Sequence, residues 1–222
     1  METMTMKIDV ISDTVCPWCF IGKRRLETAL AGFDGELPEV VWHPFQLNPD
    51  LPVEGMPRSQ YLELKFGGPA RAERIYRSVA EAASAEALPF ALDRIGRTPN
   101  TVASHRLIHF AGGHGDQDSV VEALFRAYFF DGCDIGEVET LAAIAFGCGL
   151  DRDEALAYLQ SDEGAVEVAQ CDRHARSIGI NGVPCFIIDG RYAVSGAQDP
   201  EVFQQVFAVA VQESVQAAEA AE

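Results

Sequence analysis

Apolar positions along the 222-residue chain fall into three stretches with different rhythms. In the first, residues 7–12 (KIDVIS) and 40–45 (VVWHPF) are short β-branched or aromatic runs that read as buried strands. Between them, 17–30 offers Phe20, Leu26 and Leu30 as one apolar helix face, and the turn-rich 32–38 segment releases the chain, so the stretch reads as a βαβ unit. Leu47-Asn48-Pro49-Asp50-Leu51-Pro52 is a proline-punctuated exit from it. The second stretch carries helical patterns over 59–66, 70–87, 101–112, 119–130, 138–146 and 152–160, with no clear strand among them. Gly67-Gly68-Pro69 and Thr98-Pro99-Asn100 break those helices, and Asp151 followed by Glu154 marks a helix start. In the third, a helix over 163–178 stops at Gly179, and a turn at Asn181-Gly182-Val183-Pro184 leads to a strand at 185–188. Asp189-Gly190 then signals a hairpin into 191–194, and Asp199-Pro200-Glu201 opens a last helix expected to fray from about residue 217.

Composition narrows the classes. A hydrophobic content of 48% supports a sizeable core without a disulfide scaffold. Six thinly spread cysteines do not form a secreted framework. The first residues lack a basic region followed by an apolar one, and no apolar run approaches the ~18 residues of a membrane span. The expectation is a cytoplasmic protein with no membrane partner. With 17 basic against 34 acidic residues the net charge is −17, which also argues against nucleic acid.

Against that background Cys16-Pro17-Trp18-Cys19 stands out. Two cysteines three positions apart at a strand-to-helix turn lie within disulfide reach. The first sits where unpaired backbone N–H groups and the helix dipole favour a thiolate, the nucleophile of disulfide exchange. Pro17 suits the first helical turn, where its missing N–H costs nothing. A redox dithiol at the first βα turn, with a second α/β half later in the chain, gives the fold class: α/β, thioredoxin-like, with a large helical insertion. Residues 1–56 and 161–222 are assigned to the thioredoxin-like domain and 57–160 to the inserted helical subdomain. The alternative use of the pair, half of a zinc site, lacks its second half: Cys133, Cys148, Cys171 and Cys185 are isolated, so no metal is expected. Cys148 and Cys171 fall in helical patterns and read as core, while Cys133 lies in a loop between acids. Lys23, Arg24 and Arg25 either stabilise the thiolate and attract an anionic thiol, or form an exposed helix face. His105 and His109, one turn apart, read as a packed pair, and His43 as structural.

Ser12-Asp13-Thr14-Val15-Cys16-Pro17-Trp18-Cys19-Phe20-Ile21-Gly22 resembles the active-site segment of the DsbA-like thioredoxin-fold family, in particular its cytoplasmic FrnE-type branch, which is related to the 2-hydroxychromene-2-carboxylate isomerases. Phe45-Gln46-Leu47-Asn48-Pro49, Asn100-Thr101 with His105-Arg106-Leu107, Asp131-Gly132 with Asp134-Ile135, and Gly182-Val183-Pro184 resemble that branch in the same order. The resemblance implies that Cys16 attacks and Cys19 resolves, with no bound cofactor beyond the redox-active disulfide. It implies a cis bond at Val183–Pro184 beside the cysteines, with the Val183 backbone pairing with an incoming peptide and Pro17 and Trp18 on the rim. Protein or small-molecule thiols and disulfides are the implied partners, glutathione among them as a co-substrate, for a monomer or dimer. Cys185, directly after the proline, departs from the usual apolar or small polar residue; it reads as a small buried side chain or, as the sharper alternative, as a third redox thiol. Two rivals remain: a glutathione-dependent isomerase or kappa-class transferase on the same fold, which generally does not keep both thiols, and a holdase-type chaperone.

Overall fold

A computed structural model describes residues 5–114 and 116–219. Strands β1 (Lys7–Ser12) and β2 (Glu39–Pro44) run parallel, Lys7 opposite Glu39 and Ser12 opposite Pro44, joined through helix α1 (Pro17–Ala31). The next residues form a two-residue ladder, β3 (Met56–Pro57) with β4 (Arg97–Thr98), around helices α2 (Arg58–Phe66) and α3 (Pro69–Ala85). Helices α4 (Val102–His114), α5 (Gln117–Arg126), α6 (Val138–Gly147) and α7 (Arg152–Gln160) follow, then α8 (Ala165–Ser177). Strands β5 (Cys185–Ile188) and β6 (Tyr192–Ser195) and helix α9 (Pro200–Glu219) close the chain.

The main sheet has the order β2-β1-β5-β6, with β1/β5 and β5/β6 antiparallel. Alternation along the strands splits their side chains between two faces. Ile8, Val10, Phe186 and Ile188 enter the main core with Phe20 and Phe203, on the side covered by the contacting helices α1 and α9. Ile11 and Cys185 point the other way, into a small buried cluster with Phe45 and with Ala175 of α8. The β5–β6 hairpin turns through Asp189 and Gly190, both at positive φ (49° and 66°), which is the pairing that an Asp-Gly hairpin supplies.

The helices between β2 and α8 lean on the sheet through its β2 edge. Gln117 accepts a hydrogen bond from the Trp42 backbone N–H at 3.1 Å, and Asp118 accepts one from the Trp42 indole at 3.1 Å. The expected helix over 119–130 is in fact α5 followed by a π-helical turn at Ala127–Asp131. The widened turn frees the Phe129 carbonyl, which accepts the Ala91 N–H at 2.8 Å. The β3–β4 ladder likewise has no counterpart in the sequence pattern, since two residues per strand carry no readable period. The last helix continues past the expected fraying point to Glu219.

Candidate active site

Cys16 occupies the cap position immediately before α1, in extended conformation, and Pro17 opens the helix. Both cysteines are free and buried, Cys16 at 4% and Cys19 at 1% exposure, and they approach to 3.5 Å. The Val183–Pro184 bond is cis, and the Cys16 thiol reaches the Val183 carbonyl at 3.6 Å. Burial first, and then the adjacent Cys16, push the Cys19 thiol well above the ordinary thiol range. Trp18 and Val183 are half-buried, and Pro184 is buried.

The close seating of α1 on the Pro184 loop depends on Gly22. A Cβ built there would lie 3.0 Å from Pro184 Cγ and 3.1 Å from Phe186 Cζ. A second knot lies before the cysteines. Asp13 is fully buried; its Oδ2 accepts the Leu47 N–H at 2.7 Å, and its Oδ1 faces His105 Nε2 at 3.4 Å. The Asp13 carbonyl accepts the Cys16 N–H at 3.0 Å, and Thr14 Oγ1 meets Ser104 Oγ at 2.8 Å. The loop that presents Cys16 is therefore tied both to the exit from β2 and to α4. His105 and His109 do not form a packed pair: His105 is buried on Asp13 and the Phe45 carbonyl, whereas His109 is exposed. His43 bonds to Asp9 at 2.7 Å on the sheet surface.

The basic trio after the cysteines is neither an anion site nor an exposed helix face. Lys23 is 2% exposed and its ammonium meets Glu27 and Asp118, the latter at 2.8 Å. Arg24 bonds Glu27 at 2.7 Å and also Glu122. Arg25 reaches Glu86 at 2.7 Å, Asp199 at 2.9 Å and the Ala197 carbonyl at 2.7 Å. These contacts fasten α1 to α5 and to the chain before α9.

Cys185 is free and buried in the small cluster on the far face of the sheet, whereas Cys16 and Cys19 belong to the main core. Burial raises its thiol above the ordinary range. Cys171 is exposed and Cys148 half-buried, so neither is the core residue that its helical pattern suggested. Among the described residues no three His, Cys, Asp or Glu side chains are placed to share a metal ion. A cavity of about 220 Å³ lined by His43, His105, Gln117 and Cys171 contains neither Cys16 nor Cys19.

Residues 7–208 match the DSBA-like thioredoxin domain family. The chain belongs to that family. A crystal structure from Streptomyces coelicolor, the probable DsbA oxidoreductase SCO1869, is similar at 36% identity and TM-score 0.84, covering 94% of this chain and 91% of that one. The cytosolic disulfide reductase DsbM of Pseudomonas aeruginosa, solved with GSH, shares the fold at 17% identity and TM-score 0.67, covering 93% and 99%. The uncharacterized protein YwbO of Bacillus subtilis (strain 168) is 29% identical over 203 residues, 91% of this chain and 96% of that protein. Within this DsbA-like fold the cysteine pair, the Val183–Pro184 loop and Gly22 are all visible in the sequence, although nothing local to Gly22 marks its contact with Pro184. Asp13 and its partner His105 were visible only as parts of resembling segments, because burial and pairing across 92 positions leave no local signal.

Proposed function

We propose that the chain is a thiol–disulfide oxidoreductase acting through Cys16 and Cys19. The observation that carries this reading is two adjacent free thiols, 3.5 Å apart, at the start of a helix, with the Val183 carbonyl 3.6 Å from the first. In the reducing direction the Cys16 thiolate attacks one sulfur of a substrate disulfide. The S–S bond breaks, the leaving thiolate takes up a proton, and a mixed disulfide remains. Cys19, kept protonated by its burial until then, gives up its proton and attacks the Cys16 sulfur. The Cys16–Cys19 disulfide closes, the second substrate thiol leaves, and two electrons have passed to the substrate. The same steps reversed oxidise a dithiol. In this reading the Val183 backbone pairs with an extended substrate, and Pro17, Trp18 and Pro184 form the rim. The retention of both thiols supports redox chemistry over glutathione-dependent isomerisation. The protein works in the cytoplasm on protein or small-molecule thiols, with glutathione as a co-substrate and no resident cofactor; no described helix is long and apolar enough to cross a membrane. The test is insulin reduction in dithiothreitol: the protein accelerates it and Cys16→Ser abolishes the acceleration. Full activity in that variant removes the proposal.

A further inference from the structure

Arg58 is the first residue of α2, and no acidic residue stands in that helix's first turn. A cation there opposes the helix dipole, which favours negative charge at an N-terminus. In a chain with twice as many acids as bases, the residues that hold its side chain are nevertheless neutral. Nη1 donates to Thr98 Oγ1 at 3.1 Å and Nη2 to the Tyr76 hydroxyl at 2.6 Å. The guanidinium lies 5.3 Å from the ring centres of both Tyr61 and Tyr76. Two turns along the same helix, Lys65 bonds Asn48 Oδ1 at 2.9 Å, and the Tyr61 hydroxyl reaches that oxygen at 3.5 Å. Among the described residues neither cation has a carboxylate partner.

The helix that carries Arg58 meets the loop that leads to Cys16. Lys65 and Tyr61 sit on Asn48, and the N–H of the neighbouring Leu47 is accepted by Asp13 at 2.7 Å, whose own carbonyl accepts the Cys16 N–H at 3.0 Å. Tyr76 packs against the core that contains Cys16, and burial first and then the charge of that sulfur raise its hydroxyl. The result is a half-buried guanidinium with unused N–H donors, framed by aromatic rings, on the helix that meets the loop bearing the reacting thiol. That is the chemistry of a carboxylate receptor.

We propose that Arg58, with Lys65 further along α2, binds a carboxylate carried by the thiol or disulfide that reacts at Cys16. The substrate class is then carboxylate-bearing low-molecular-weight thiols and their disulfides. This rests on the thiol–disulfide reading above. The reaction stays balanced as written there: Cys16 and Cys19 lose two electrons, the disulfide gains them, and each released thiolate takes one proton.

The experiment compares two disulfides of similar size and opposite charge, 3,3′-dithiodipropionate and cystamine, as oxidants of the reduced protein. Arg58→Gln is expected to lower the ratio of the dithiodipropionate rate to the cystamine rate about tenfold, the size of one hydrogen bond to a charged group, while Arg58→Lys keeps most of it. Arg58→Met repeats the measurement should the glutamine variant not fold. A second readout needs no redox turnover: the ratio of iodoacetate to iodoacetamide alkylation rates at Cys16, located by mass mapping, falls in the same variants. Unchanged ratios in both assays, including equal slowing by both reagents, overturn the carboxylate site and leave disulfide exchange intact. A wild-type protein inert to both disulfides, with an alkylation ratio that still falls in Arg58→Gln, removes the redox reading and leaves the carboxylate site standing.

Discussion

Lys23, Arg24 and Arg25 follow the cysteine pair on α1, and Arg58 opens α2, which meets the loop before that pair, yet their surroundings differ. The α1 trio meets Glu27, Asp118, Glu122, Glu86 and Asp199, while Arg58 meets two tyrosines and a threonine. The first arrangement fastens helices together, and the second leaves a cation with no carboxylate partner among the described residues. Proximity in sequence to a reactive residue is thus a poor guide to a charge's role. What matters is whether acids from elsewhere in the fold have already neutralised it.

The largest stability effect is expected from Lys23→Met. It strips the ammonium from a group of acids packed around a 2%-exposed side chain. Breaking a fully buried pair costs about 3–5 kcal/mol, and since Glu27 and Asp118 are partly solvated we expect ~2 kcal/mol, a fall in Tm of roughly 4–8 °C by calorimetry. A loss under ~0.5 kcal/mol would break the contrast between the two cation sets.

Acid should weaken the same contacts. Burial alone would raise the carboxyls of Glu27, Asp172 and Asp9, but Lys23 and Arg24, Arg176, and Lys7 with His43 outweigh it and hold all three below their ordinary values. The unfolded chain therefore binds more protons as pH falls through about 4. Stability is full at neutral pH and declines from about pH 5 downward, read as falling urea midpoints. The Lys23→Met variant should show a shallower decline, because Glu27 has lost a cation that lowers its pKa.

Next in size is Gly22→Ala, whose Cβ meets Pro184 and Phe186 at about 3 Å. Overpacking of this kind costs about 1–3 kcal/mol and the better helix former returns ~1, leaving a net loss of ~1 kcal/mol in denaturant titration. Because the displaced neighbour is Pro184, insulin reduction should slow in the folded variant as well. The smallest stability effect belongs to Arg58→Gln, at under ~1 kcal/mol, since no carboxylate is left unpaired. A loss as large as that of Lys23→Met would make Arg58 a fastening residue too.

The legible parts of this molecule are those written locally. The apolar face of α1, the helical patterns of α4 through α9, the Asp189-Gly190 hairpin and the ordered halves of the α/β core all follow from spacing and turn chemistry, and the cysteine pair announces itself at a strand-to-helix turn. What could not be read was written across the chain. Lys23 is charged and looks solvated, but its Asp118 partner comes from 95 positions away. Cys171 fits a helical pattern and stands on the same face of α8 as Val168 and Ala175, yet it stays exposed because it lines a cavity with His43 and His105 instead of packing in the core. Arg58 carries no motif at all; its setting arises only when Thr98 and Tyr76 arrive from other elements.

The bond from Gln117 to the Trp42 amide has a consequence for how an extended peptide could dock. β2 is a border strand of the main sheet, and a border strand with free N–H groups invites another chain to zip onto it. Here a side chain 75 positions later takes one of those groups, and α5 lies across that edge. Recruitment of a new strand at that border is blocked, which removes one indiscriminate, sticky edge from the sheet.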